Sequence, residues 1–170
     1  MVVHIYHLKE PYRSIIKEIF KNVKNFYKKN LISFVVFGSV AKNKTNPFSD
    51  IDLLIICENL PKGRTKRILD FMKNIERPLK EKLKKLREKN YFIEISPIIK
   101  KPNEVEYGGF IYLDMIDDSI ILFDKNKFFK NYLEKLSNKL KEYGAKKIYK
   151  KGGYYWIIKK DVDVKIGVEI

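Results

Sequence analysis

The sequence predicts an α+β domain, a small mixed sheet with helices packed on it, from three observations. Leu31–Phe37 and Ile51–Cys57 are nearly continuous apolar runs rich in β-branched residues, the pattern of strands buried on both faces. Ahead of them, Ile15, Ile16, Ile19, Phe20, Val23, Phe26 and Tyr27 recur at spacings of three and four with lysines between them, which predicts an amphipathic helix over 11–29. Behind them, residues 64–89 carry a second helical pattern.

That second helix is expected to bury a stripe of Ile68, Leu69, Met72, Ile75, Leu79, Leu83 and Leu86 and to be kinked or divided at Pro78, whose ring removes a backbone donor and crowds the preceding turn. Its other face is basic, with Lys80, Lys82, Lys84, Lys85, Arg87 and Lys89. Residues 91–99 read as a third strand, and its one acidic residue, Glu94, stands between Ile93 and Ile95. A charge among apolar neighbours needs a reason. Between the first two strands, residues 39–42 allow a short helical turn, and the polar stretch 43–49, with Pro47, reads as loop.

The remainder is expected to form a helix and β-hairpin extension. Residues 103–115 suggest a short helix broken at Gly108-Gly109, residues 119–123 a short strand, and residues 127–143 a helix stopping at Gly144, the residue that most readily takes a left-handed C-cap. The Gly152-Gly153 pair before Tyr154-Tyr155-Trp156-Ile157-Ile158 predicts a terminal hairpin. The organisation is a core over 1–100 and a C-terminal extension over 101–170 packed on it, one compact domain overall.

The chain has 170 residues, enough for one domain of ordinary size. Hydrophobic residues make up 45%, which supplies a core and excludes compositional disorder. The formal net charge is +15. Such a field draws phosphate-bearing partners, although the same lysines also suit solvated helix faces or the Lys/Glu-rich surface of a thermophile protein. One cysteine, Cys57, cannot form an intrachain disulfide and reads as a buried thiol. No basic-then-apolar leader and no run of 18 apolar residues is present, so a cytoplasmic location is expected, with no membrane partner.

Asp50 and Asp52 flank one apolar residue at the start of a strand, so a side-chain period of two puts both carboxylates on one face, roughly 7 Å apart along the chain. Two such charges repel unless a cation lies between them, and oxygen ligands without Cys or His favour Mg²⁺ or Mn²⁺ over Zn²⁺. An isolated Asp-x-Asp is more often a cap on a loop-to-strand turn. Gly38-Ser39 upstream changes the reading, because it lies where a buried strand gives way to loop. There glycine lets a ligand approach the backbone, and the following amides and the Ser39 hydroxyl can donate to phosphate.

Phe37-Gly38-Ser39-Val40-Ala41-Lys42, followed by Ser49-Asp50-Ile51-Asp52-Leu53-Leu54, closely resembles the signature of the DNA polymerase β-like nucleotidyltransferase superfamily, and most of all its small prokaryotic members. The tail from Leu140 onward resembles archaeal members only loosely. The resemblance implies a nucleotidyltransferase fold and an enzyme that transfers an NMP from an NTP to a hydroxyl acceptor with release of pyrophosphate. It implies Asp50 and Asp52 as catalytic metal ligands for two Mg²⁺ ions and Glu94 as the third carboxylate. It also implies a nucleotide site at Gly38, Ser39, Lys42 and Ser49. Glu94 stands where the superfamily most often has Asp, and Lys42 where many small members have Arg. Small members also pair with HEPN-type toxin partners, which keeps open a non-catalytic nucleotide-binding or partner-binding module. An RNA- or DNA-binding protein, with its affinity on the basic helix, is the third reading.

Weaker candidates have structural readings. Asp114, Asp117, Asp118 and Asp124 match no calcium loop and are expected to cap turns. His4 and His7 are expected at the surface, and Tyr154, Tyr155 and Trp156 against the core.

Overall fold

The computed structural model describes residues 3–150 and 153–158. Gly152, the side chain of His4 and residues 159–170 lie outside the described residues; His7 is exposed. A four-stranded sheet organises the molecule in the order β3-β2-β1-β4, where β1 is Leu31–Phe37, β2 is Ile51–Cys57, β3 is Ile95–Lys100 and β4 is Ile120–Asp124. β1 runs antiparallel to β2 and β4, and β2 runs parallel to β3. The sheet is mixed because a helical crossover joins β2 to β3, as a parallel pair requires.

Both faces of this sheet are covered, which is why its two central strands are apolar apart from Ser33 and Asp52. Phe34, Val36, Ile51, Leu53 and Ile55 point to one core, which they share with Ile15, Ile16, Ile19 and Val23 of α1 (Tyr12–Tyr27). Val35, Phe37, Leu54 and Ile56 point to the other, shared with Phe129, Tyr132, Leu133 and Leu136 of α7 (Phe128–Glu142). The four α1 side chains are wholly buried, and each contributes about 1.5–3 kcal/mol. A short helix, α2 (Gly38–Ala41), follows β1 directly.

The predicted long helix divides as Pro78 requires. α3 (Arg64–Phe71) passes through a π-helical turn at Met72–Glu76 and a 3₁₀ turn at Arg77–Leu79 into α4 (Lys80–Arg87). Its buried stripe differs from the expected one. Arg67, Phe71, Ile75 and Leu79 face inward, while Leu69 and Met72 are exposed. Residues 67, 71, 75 and 79 step by four along one face, so Leu69, midway between Arg67 and Phe71, lies on the opposite face. Leu83 and Leu86 do pack partly on the core. The third strand begins later than predicted, at Ile95, and residues 91–94 form its approach.

Beyond residue 100 the chain re-enters the sheet. After α5 (Pro102–Glu106), a 3₁₀ turn at Phe110–Asp114 and α6 (Met115–Asp118), β4 pairs with β1 as an edge strand. The extension thus completes the core sheet as well as covering it. α7 ends at Gly144, φ +63°, and β5 (Lys146–Lys150) pairs antiparallel with β6 (Gly153–Ile157) as a separate hairpin. Among the described residues no helix is long and apolar enough to cross a membrane.

Candidate active site

At the end of β1 the backbone turns into α2 through Gly38, whose φ of +71° lies in the left-handed region. The register places Phe37 opposite Asp52, so the next residue turns directly over that carboxylate. A Cβ at position 38 would lie 2.1 Å from Asp52 Oδ2 and 3.0 Å from its Cγ. Glycine is required here twice, by its dihedral angle and by the carboxylate against it. Ser39 is half-buried at the first turn of α2, where backbone amides have no partner within the helix.

Asp52 alternates with Leu54 and Ile56, which face the second core. It is half-buried there, and Asp50, two residues back, is exposed. Burial first and the charge of Asp50 second raise the Asp52 carboxyl above its ordinary value. Among the described residues neither carboxylate takes part in an ion pair.

Glu94 lies one residue before β3. Its carbonyl accepts the Ile51 N–H at 2.9 Å, and the Ile51–Ile95 pairing sets it beside Asp50. Its side chain is exposed, and its charge is felt at Glu76 in the π turn, whose carboxyl is raised first by burial and then by Glu94. Among the described residues no group of three or more His, Cys, Asp or Glu side chains is gathered closely enough to hold a metal ion. Asp50, Asp52 and Gly38 therefore come together, while Glu94 flanks them. The strand position directly beside Asp52 is Ser96.

The remaining predicted residues are engaged. Lys42 pairs with Asp118 at 3.3 Å and lies 5.2 Å from the centre of the Tyr154 ring. Ser49 is buried, and its hydroxyl accepts the Asn46 N–H at 2.9 Å. That bond shapes the loop before the carboxylates. The acidic cluster acts structurally: Asp117 pairs with Lys147 at 2.8 Å, Asp114 accepts the Tyr154 hydroxyl, and Asp124 caps α7 through the N–H groups of Phe129 and Lys130. Trp156 packs partly on the second core, whereas Tyr155 is exposed.

The sequence reading passed over two aromatic side chains. Phe48 and Phe92 stack beside Asp50 and Glu94, with centroids 5.4 Å apart. Each stands two residues before an acidic one, and that shared spacing was the available signal. Their meeting depends on the register of β2 and β3.

The model of the nucleotidyltransferase domain family matches residues 16–107. A protein of Methanocaldococcus jannaschii named "Putative protein adenylyltransferase MJ1305" is 30% identical over 132 residues, covering 72% of this chain and 79% of that one. Among solved structures, a toxin-antitoxin with AMP-PNP aligns with 10% identity and a TM-score of 0.47, over 73% of this chain and 86% of that one. A structure described as "a putative nucleotidyltransferase from Sulfolobus solfataricus" aligns with 22% identity and a TM-score of 0.39, over 67% and 81%.

Proposed function

This chain belongs to the nucleotidyltransferase domain family and is a nucleotidyltransferase, and from that premise we propose that it transfers a nucleoside monophosphate from an NTP to a hydroxyl acceptor, with divalent cations held at Asp50 and Asp52 and pyrophosphate released. The name of the Methanocaldococcus jannaschii relative favours ATP as the donor. The observation that carries the reading is the contact of Gly38 with Asp52, which sets the left-handed turn against a carboxylate with no side chain between them.

The donor set suits Mg²⁺ or Mn²⁺. Two carboxylates share one face, one of them is raised by burial and by the other's charge, and neither has a cationic partner among the described residues. A bound divalent cation would neutralise the pair and offset charge developing on the phosphate oxygens. Gly38 and Ser39 would hold the β- and γ-phosphates with backbone amides and the serine hydroxyl. Lys42, one turn on, would add positive potential while paired with Asp118. Ser49 would act indirectly, by fixing the loop that presents Asp50. Glu94 would take the proton of the attacking hydroxyl, from its place beside Asp50.

Incubation with each labelled NTP and Mg²⁺ tests the proposal. Asp50→Asn and Asp52→Asn are expected to lower transfer on the order of a thousandfold with the thermal transition retained. Incorporation at the wild-type rate in either variant refutes the assignment.

A further inference from the structure

Phe48 is 69% exposed and Phe92 45% exposed, yet their rings lie parallel to within 4°. The rings are held from behind. The Phe92 N–H donates to the Pro47 carbonyl at 2.8 Å and the Phe48 N–H to Asn46 Oδ1 at 2.8 Å. The Asn46 carbonyl in turn accepts the Tyr12 hydroxyl at 2.5 Å, which ties the loop to α1. A rigidly mounted, open aromatic face is preorganised to receive a planar group.

The register decides what the rings face. Ile51 pairs with Ile95, so the same offset sets Asp50 beside Glu94, and the turn before Asp50 brings Phe48 against Phe92. Gly38 approaches Asp52 from β1, on the opposite side of β2. In-line displacement brings the attacking hydroxyl in opposite the leaving pyrophosphate. With the phosphates on the β1 side, a placement that rests on the function proposed above, the rings stand on the acceptor side.

Exposed cations gather at the end of α4 that precedes Phe92. Lys84, Lys85 and Arg87 of α4, with Lys89 after it, are exposed, and among the described residues none is in an ion pair. The Tyr91 N–H bonds back to the Leu86 carbonyl at 2.9 Å and so joins the end of α4 to Phe92. Stacking faces beside a group of cations are the means by which proteins hold single-stranded nucleic acid. A protein acceptor would engage these cations only through an acidic surface, whereas every nucleic acid carries the matching charge.

We propose that Phe48 and Phe92 form the acceptor platform for the 3′ end of a single-stranded RNA. The terminal base stacks on Phe48, the preceding phosphates lie along Lys89, Arg87, Lys85 and Lys84, and a ribose hydroxyl meets the carboxylates. That oxygen bonds to the α-phosphorus of the NTP, the bond from this phosphorus to the bridging oxygen breaks, pyrophosphate leaves, and the hydroxyl proton passes to Glu94.

Binding of a fluorescein-labelled single-stranded RNA 15-mer to the full chain, in Mg²⁺ without NTP, tests this, with binding of a fluorescent ATP analogue measured beside it. Phe48→Ala is expected to weaken RNA binding about 5- to 100-fold and Phe48→Trp to restore it, with binding of the ATP analogue unchanged. Arg87→Glu should reduce the dependence of RNA binding on salt. Wild-type chain that binds no RNA, or Phe48→Ala that binds it equally well, overturns the proposal. Loss of the ATP analogue in Phe48→Ala with RNA binding retained also overturns it, by giving the rings to the donor base. The donor-site assignment fails separately, through undiminished transfer by Asp52→Asn.

Discussion

Two charged sites flank the β2–β3 pair, and they are built on opposite rules. In one, Arg67 is 6% exposed and fully partnered: its guanidinium donates to Glu104 at 2.6 and 2.9 Å, to the Ile99 carbonyl at 3.1 Å and to the Pro61 carbonyl at 2.9 Å. Glu104 also accepts the Lys101 N–H at 2.7 Å, and the hydrogen bonds from Arg67, its largest influence, hold its carboxyl down to about 2. In the other, Asp50 and Asp52 share a face with like charge and no partner within the described chain. The first site is closed and serves the fold. The second is left open: burial and the like charge raise the Asp52 carboxyl, and in the function proposed above a divalent cation would fill it.

The largest stability effect should separate the two. Arg67→Ala leaves Glu104 without its countercharge, and breaking a buried pair costs about 3–5 kcal/mol, a fall in Tm of roughly 6–20 °C for a chain of this size. Transfer activity below the new transition should persist; activity lost without loss of stability would place Arg67 in the active site and break the comparison. Calorimetry and an NTP assay on the same preparation decide it.

Gly38→Ala should cost less stability and more activity. The left-handed backbone costs about 1–2 kcal/mol for a residue with a Cβ, and the methyl group must displace the Asp52 carboxylate. Nucleotide transfer is expected to fall by more than that cost implies, and a fully active variant would show that the contact is incidental.

Asp52→Asn should give the smallest effect, with the opposite sign. The Asp52 carboxyl is raised in the folded chain, so its contribution to stability is fully present below its unfolded value and is lost as pH rises through the folded one. At pH 7 the variant should therefore melt a few degrees above the wild type, and near pH 3 the difference should vanish. Mg²⁺ should raise the wild-type transition at pH 7 and raise that of Asp52→Asn less. A variant that melts lower at pH 7 would place Asp52 among the closed, structural charges.

Much of this was legible in the order of residues. The apolar runs around residues 31–37 and 51–57 announce strands buried on both faces, and the signature from Phe37 to Leu54 announces the family, because a left-handed turn and a carboxylate pair need particular residue types at short spacing. Leu69 and Met72 were misread because apolar residues at 68, 69, 71 and 72 fit more than one stripe, and packing decides which stripe is buried. β4 was legible as a strand, though its place beside β1 was not.

The sequence by itself determined the elements of this protein and the signature of its family, since both depend on local geometry: side-chain period, glycine dihedral freedom and the two-residue step between Asp50 and Asp52. Only the tertiary structure decided which distant residues meet. The parallel register of β2 with β3 brings Phe48 to Phe92 and Glu94 beside Asp50, and the packing of α3 against α5 closes Arg67 on Glu104. Register and packing are settled by the burial of whole faces at once, and no single stretch of residues encodes them.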